Sequence, residues 1–134
     1  MEQKYIYGTE IDVRDYELDA EGIVNNANYL HYLEHTRHEF CKIAGFTFAQ
    51  MRENGIDPVL RKVEIEYLTP LKSGDTMESF INMERKGPRF IFHQDIFRKS
   101  DGQPVVKALV TVVMLKNGKL SKGDEVAEAF HKYL

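Results

Sequence analysis

Residues 31–35 read His-Tyr-Leu-Glu-His, and His38 follows three positions later. H-x-x-E-H is a metal-ligand pattern: two histidines four apart on one helical face hold zinc, and the glutamate activates water. A second constellation lies just upstream, where Asp19, Glu21 and Gly22 precede Asn25 and Asn26. There a carboxylate on a loop leads into a helix start. Free backbone amides at such a start, at the positive end of the helix dipole, can hold a developing oxyanion. A carboxylate plus preorganised amide donors suffices for acyl transfer to water.

The choice between the two depends on the elements that position them. Residues 4–13, KYIYGTEIDV, alternate Tyr5, Tyr7, Thr9, Ile11 and Val13 on one face and read as a strand. An acidic loop ends at Gly22, and from about Ala27 to Ala44 the period becomes helical. Leu30, Leu33, Arg37, Phe40 and Ala44 form the apolar stripe, Asn25 or Asn26 caps its start, and Gly45 stops it. His31, Glu34, His35 and His38 fall on the opposite side of the wheel. Glu34 then supports His38 at i,i+4 on a polar face. No downstream residue is nominated as a third ligand, and a chain this short has little room for a substrate-enclosing metal cleft. The expectation is no metal.

A second short helix follows in residues 47–56. Alternating runs then recur: Val63, Ile65 and Tyr67; Met77, Ile81 and Met83; residues 89–99; and the nearly all-apolar 104–115. Short glycine-bearing turns at 73–75, 86–88 and 101–103 separate the later runs and predict antiparallel neighbours in a four-strand meander. The apolar last strand predicts burial on both faces at the sheet centre. A terminal amphipathic helix carries Val126, Ala129, Phe130 and Tyr133. The fold class expected is α+β, an antiparallel sheet of about five strands around one long helix.

With 134 residues, the expectation is a single domain, 1–134. The formal net charge of −3 with interspersed signs gives no electrostatic case for nucleic acid or an anionic membrane. No apolar run approaches the roughly 18 residues of a membrane span. A single cysteine, Cys41, and no signal-peptide core in the first ten residues point to the cytoplasm.

The segment D-x-x-G-I-V-N-N-A-x-Y-L-x-Y-L-E-x-x-R is read at Asp19, Gly22, Ile23, Val24, Asn25, Asn26, Ala27, Tyr29, Leu30, Tyr32, Leu33, Glu34 and Arg37. It resembles the hotdog-fold thioesterases, in particular the branch of 4-hydroxybenzoyl-CoA thioesterase and the short bacterial acyl-CoA thioester hydrolases. Residues 64–75 and 101–115 resemble that family's later strands. The resemblance implies that Asp19 is the catalytic carboxylate, as base or nucleophile, and that the backbone amide of Asn26 is the oxyanion donor. It also implies an acyl-CoA or acyl carrier protein thioester as substrate, no cofactor, and a homodimer or homotetramer with sites between subunits. Lys86 and Arg89, flanking the 86–88 turn, are the candidates for phosphate contact. Tyr29, with Phe90 and Phe92, is a candidate for the acyl pocket. Glu34 and Arg37 read first as helix or interface residues.

The same segment also resembles the H-V-N-N stretch of plant-type acyl-ACP thioesterases, where an Asp, an Asn and a His act together. Here the Asn position holds Glu21 and the His position Ile23, so that triad does not transfer. Asp19 is left with most of the chemistry, and Glu21 is an outside candidate for positioning water. A hotdog dehydratase would need a histidine near Ile23 or Asn25. A non-catalytic acyl-binding module would keep the pocket but be indifferent to Asp19.

Overall fold

The computed structural model describes residues 5–134; Lys4, the first residue of the predicted strand, lies outside the described residues. β1 spans Tyr7–Asp12, and a 3-10 turn at Asp15–Glu17 leads toward α1, Asn26–Ala44. α2 is Phe48–Glu53, and the strands β2 Ile56–Tyr67, β3 Thr76–Lys86, β4 Arg89–Arg98 and β5 Pro104–Lys116 follow. A two-residue β6, Lys119–Leu120, pairs with the end of β5, and α3 is Asp124–Ala129.

Both ends of α1 follow from local chemistry. Asn25 is the N-cap, its side chain accepting from the Ala27 amide, and Gly45 closes the helix at φ 86. α2 opens on a reciprocal capping box between Thr47 and Gln50. That cap seats Met51 in the core.

The sheet is antiparallel throughout, in the order β1-β3-β4-β5-β2. β3, β4 and β5 form a meander, but β2 pairs with β5 at the far edge, with Val63 opposite Val110. The expected four-strand meander is therefore corrected to three strands with β2 transposed. The turn at 73–75 is preceded by Pro70, which lacks the amide needed to continue the β2 ladder. The chain leaves β2 there and crosses to β3.

A second correction concerns β5. It lies one strand in from the edge, not at the centre, and its outer face stays open, with Leu109 36% exposed. Its inner face, Val106, Ala108, Val110 and Val112, is buried together with Met77, Ile81, Phe92 and Ile96 of the neighbouring strands.

α1 buries Tyr29, Tyr32, Leu33, Thr36, Arg37, Phe40 and Cys41 against this face. Full burial of Leu33 or Phe40 stabilises by roughly 1.5–3 kcal/mol each. Leu30 was expected in the stripe but is 43% exposed. The buried face is rotated because polar residues bind the sheet. Thr36 Oγ1 lies 2.7 Å from Ser79 Oγ, and Gln94 Nε2 donates to the Leu33 carbonyl at 3.0 Å. Such buried pairs, at about 0.5–1.5 kcal/mol each, fix the seating of the helix on the sheet. No described helix is long and apolar enough to cross a membrane.

Candidate active site

The segment before α1 is a miniature hairpin. Leu18 and Val24 form an antiparallel bridge, the Asp19 amide donates to the Ile23 carbonyl at 2.8 Å, and Gly22 turns at φ 79. Asp19 Oδ1 accepts from the Glu21 amide at 2.8 Å and the Ile23 amide at 3.4 Å, closing an Asx turn. Its other carboxylate oxygen has no partner among the described residues, and the side chain is exposed.

The hairpin delivers the chain directly to the helix start. The Asn25 amide donates to the Glu17 carbonyl at 3.0 Å, and Asn28 Nδ2 donates to the same oxygen at 2.8 Å. Asn25 Oδ1 takes the Ala27 amide at 3.0 Å. The Asn26 amide, first in the helix, is given no acceptor among the described residues. It is one of the orphan donors every helix start leaves, at the positive end of a 19-residue helix.

A strap crosses this terminus. The Val24 amide donates to the Leu71 carbonyl at 2.9 Å, and the Leu71 amide donates to the Tyr29 hydroxyl at 3.2 Å. Ile23 forms a bridge with Lys72. Arg98 holds the strap from behind, donating to the Pro70 carbonyl and to Asp101, both at 2.8 Å. Between strap and helix lies a cavity of about 270 Å³ lined by Ile23, Val24, Asn26, Tyr29, Tyr67 and Pro70, among others. Burial pushes the Tyr29 phenol up from its ordinary value. Tyr32, one turn on, has a buried hydroxyl that, among the described residues, has only the Glu17 carboxyl nearby. Burial first, then the nearby Glu17 carboxyl, raises its phenol too.

Asn26 and Tyr29 thus share one cavity, and the Asx turn of Asp19 sits on the hairpin that leads into it. Lys86 and Arg89 do not join them within one chain. They are exposed at the β3–β4 turn, at the end of β3 opposite Thr76, about 33 Å away at roughly 3.3 Å per residue. Phe90 is fully buried at that distant end, while Phe92 lines a different cavity. His31 and His35 are exposed on the outer face of α1, while Glu34 and His38 turn to the rim of a second cavity, the His38 ring 4.3 Å from that of Phe48. No group of three His, Cys, Asp or Glu among the described residues is placed to hold a metal ion. The strap and Arg98 went unrecognised in the sequence, where Pro70 interrupting an alternating run was the one available signal.

The model of the thioesterase-like superfamily matches residues 13–133. The chain belongs to that superfamily. Thioester hydrolysis is its reaction class. It is 37% identical to the chloroplastic acyl-acyl carrier protein thioesterase ATL2 of Arabidopsis thaliana, over 81% of this chain and 58% of that protein. It therefore spans a little over half the length of that plant relative. It is 32% identical to the long-chain acyl-CoA thioesterase FadM of Escherichia coli, over 80% of this chain and 81% of that one. The crystal structure of a hypothetical protein from Aquifex aeolicus superposes with a TM-score of 0.85 at 35% identity, covering 92% of this chain and 98% of the other. The hotdog architecture, one long helix wrapped by a curled antiparallel sheet, is the fold of this superfamily member.

Proposed function

We propose that the protein hydrolyses an acyl-CoA or acyl carrier protein thioester, without a metal, at the start of α1. The observation that carries the reading is the Asn26 amide, unengaged at the helix terminus, sharing a cavity with Tyr29 and following directly on the Asp19 turn. The thioester carbonyl oxygen accepts from the Asn26 amide, and charge developing on it is stabilised by the helix dipole. The free oxygen of Asp19 takes a proton from water as that water attacks the carbonyl carbon. The tetrahedral intermediate then expels the thiolate, which recovers the proton, leaving free acid and thiol. Direct attack by Asp19 would instead pass through an anhydride, and single-turnover hydrolysis in ¹⁸O-water reveals that route where label enters the Asp19 carboxylate, which water attack on the thioester does not label.

The names of the relatives support CoA and carrier-protein thioesters alike. The whole chain acts as one hotdog domain in the cytoplasm, as a homodimer or homotetramer. β2 offers a twelve-residue unpaired sheet edge in the single chain. A second copy pairing antiparallel there brings opposite sheet ends together. That moves the Lys86–Arg89 turn of one copy toward the helix start of the other, where cationic groups would meet the phosphates of CoA.

The test is hydrolysis of a panel of aromatic and aliphatic acyl-CoAs by the protein and by Asp19→Asn, with and without chelator. Asparagine preserves the Asx turn but not the base, so a loss of at least about 10²-fold with unchanged thermal stability is expected. Undiminished hydrolysis by Asp19→Asn would remove Asp19 from the role of base. Inactivity of both proteins across the panel would turn the reading first to an acyl carrier protein substrate and then to acyl binding, and loss with chelator would return a metal to the histidines of α1.

A further inference from the structure

Deeper along α1, on the sheet side, lies a second cavity of about 250 Å³. Its walls are Met51, Met83, Phe92 and Met114, and one side is formed by Arg37. Arg37 as a whole is only 9% exposed. Its Nη1 donates to Gln94 Oε1 at 3.0 Å, and Gln94 is itself fixed by donating to the Leu33 carbonyl at 3.0 Å. Among the described residues no other hydrogen bond reaches Arg37, and no carboxylate lies within the 4.0 Å of an ion pair. A guanidinium has five N–H donors. Here one is used.

None of the other Arg37 nitrogens is sealed from solvent, so they open to the cavity, where a largely buried cation favours a counter-ion. The other charged side chains of the lining, Glu34, Arg52 and Asp57, are exposed at the rim, where water screens them. Burial lowers the Arg37 pKa from its ordinary value, against the pull of Glu34. The cavity therefore joins an apolar methionine-lined interior to a planar, forked donor with N–H groups open to it. That is the shape of recognition for a carboxylate carrying an apolar body. A cavity of about 150 Å³ already holds benzene, and this one is larger.

We propose that this cavity binds a carboxylate-headed apolar molecule, its carboxylate on the Arg37 guanidinium and its chain among Met51, Met83, Phe92 and Met114. It is separate from the helix-start site: Arg37 lies eleven residues beyond Asn26, about 16 Å along the helix at 1.5 Å per residue. The ligand class is that of free carboxylic acids, which thioester hydrolysis releases, but the site is defined by Arg37 and stands whatever the reaction.

The test is direct binding, with no activity readout. The full chain carrying ¹³C-methyl methionine is titrated with octanoate below its micellar range. Expected are saturable shifts at Met51, Met83 and Met114, with Met77, buried elsewhere in the core, unmoved. Methyl octanoate, equal in its chain but uncharged, binds at least tenfold more weakly to the same protein. Arg37→Met loses octanoate binding by a similar factor. The ester comparison needs no variant, so it holds even if that substitution fails to fold. Equal binding of acid and ester, shifts outside the three methionines, or no shift at all would overturn the proposal.

Discussion

The Tyr29 hydroxyl accepts a hydrogen bond from the Leu71 amide at 3.2 Å, tying the first turn of α1 to the strap that leads from β2 to β3. Leu71 is fully buried, so its amide has no water to turn to. The cavity beside Asn26 therefore keeps its shape because one phenol satisfies one backbone donor.

Tyr29→Phe should destabilise the protein by about 1–3 kcal/mol, the cost of a buried donor left unmatched. Tyr67→Phe is the comparison. Its hydroxyl reaches the Asn26 carbonyl only at 3.4 Å and is exposed, so it should stay within about 0.5 kcal/mol of the parent. Urea denaturation of the two variants measures both, and equal losses would contradict the role given to Tyr29.

Arg98 holds the same strap through the Pro70 carbonyl and Asp101. Arg98→Met should loosen the strap locally. Hydrogen exchange at the Val24 amide, which donates to the Leu71 carbonyl, should speed by roughly tenfold or more, given about 1.5–3 kcal/mol for charge-assisted bonds. Exchange in the β3–β4 ladder should change less. A uniform acceleration across the sheet would mean that Arg98 supports the whole fold and not this segment.

Cys41 is buried beneath α1, and burial raises its thiol from 9.0 to about 12, with Arg37 opposing weakly. The folded protein thus keeps a proton that the unfolded chain releases. The contribution is intact below about pH 9 and is lost as pH rises toward 12, at up to about 1.4 kcal/mol per pH unit. Denaturation curves at pH 8 and pH 10.5 should show a steeper loss for the parent than for Cys41→Ala. Parallel losses would place the thiol in a more solvated setting.

Much of this was legible in the sequence, and the exceptions have a common cause. Asn25 and Gly45 announced the ends of α1 because capping is local chemistry, complete within a few residues. The alternation of Met77, Ile81 and Met83 marked the inner face of β3 for the same reason. Strand order is different: β2 alternates identically whether β3 or β5 lies beside it, and only the tertiary fold brings Val63 against Val110. The rotation of α1 was hidden because the apolar count favours Leu30. Beside the expected Leu33, Arg37 and Phe40, the structure instead buries Tyr29, Tyr32 and Thr36, and the Thr36 partner Ser79 is more than forty residues away. At the site, the Asp19 turn and the Asn26 terminus could be read in sequence, while the strap over them could not, since Leu71 acts through its backbone.

The central claim is that a backbone amide, not a side chain, holds the oxyanion, and Asn26→Pro tests it most directly. Asn26 is the first residue of α1, where proline is well tolerated, and Asn25 at φ −61, ψ 135 already has the backbone a following proline requires. The substitution removes one N–H and little else. Steady-state hydrolysis of the best acyl-CoA should fall by about 10²–10³ in kcat, as for loss of one oxyanion donor, while the melting temperature holds. A well-folded Asn26→Pro protein with parental kcat would contradict the account.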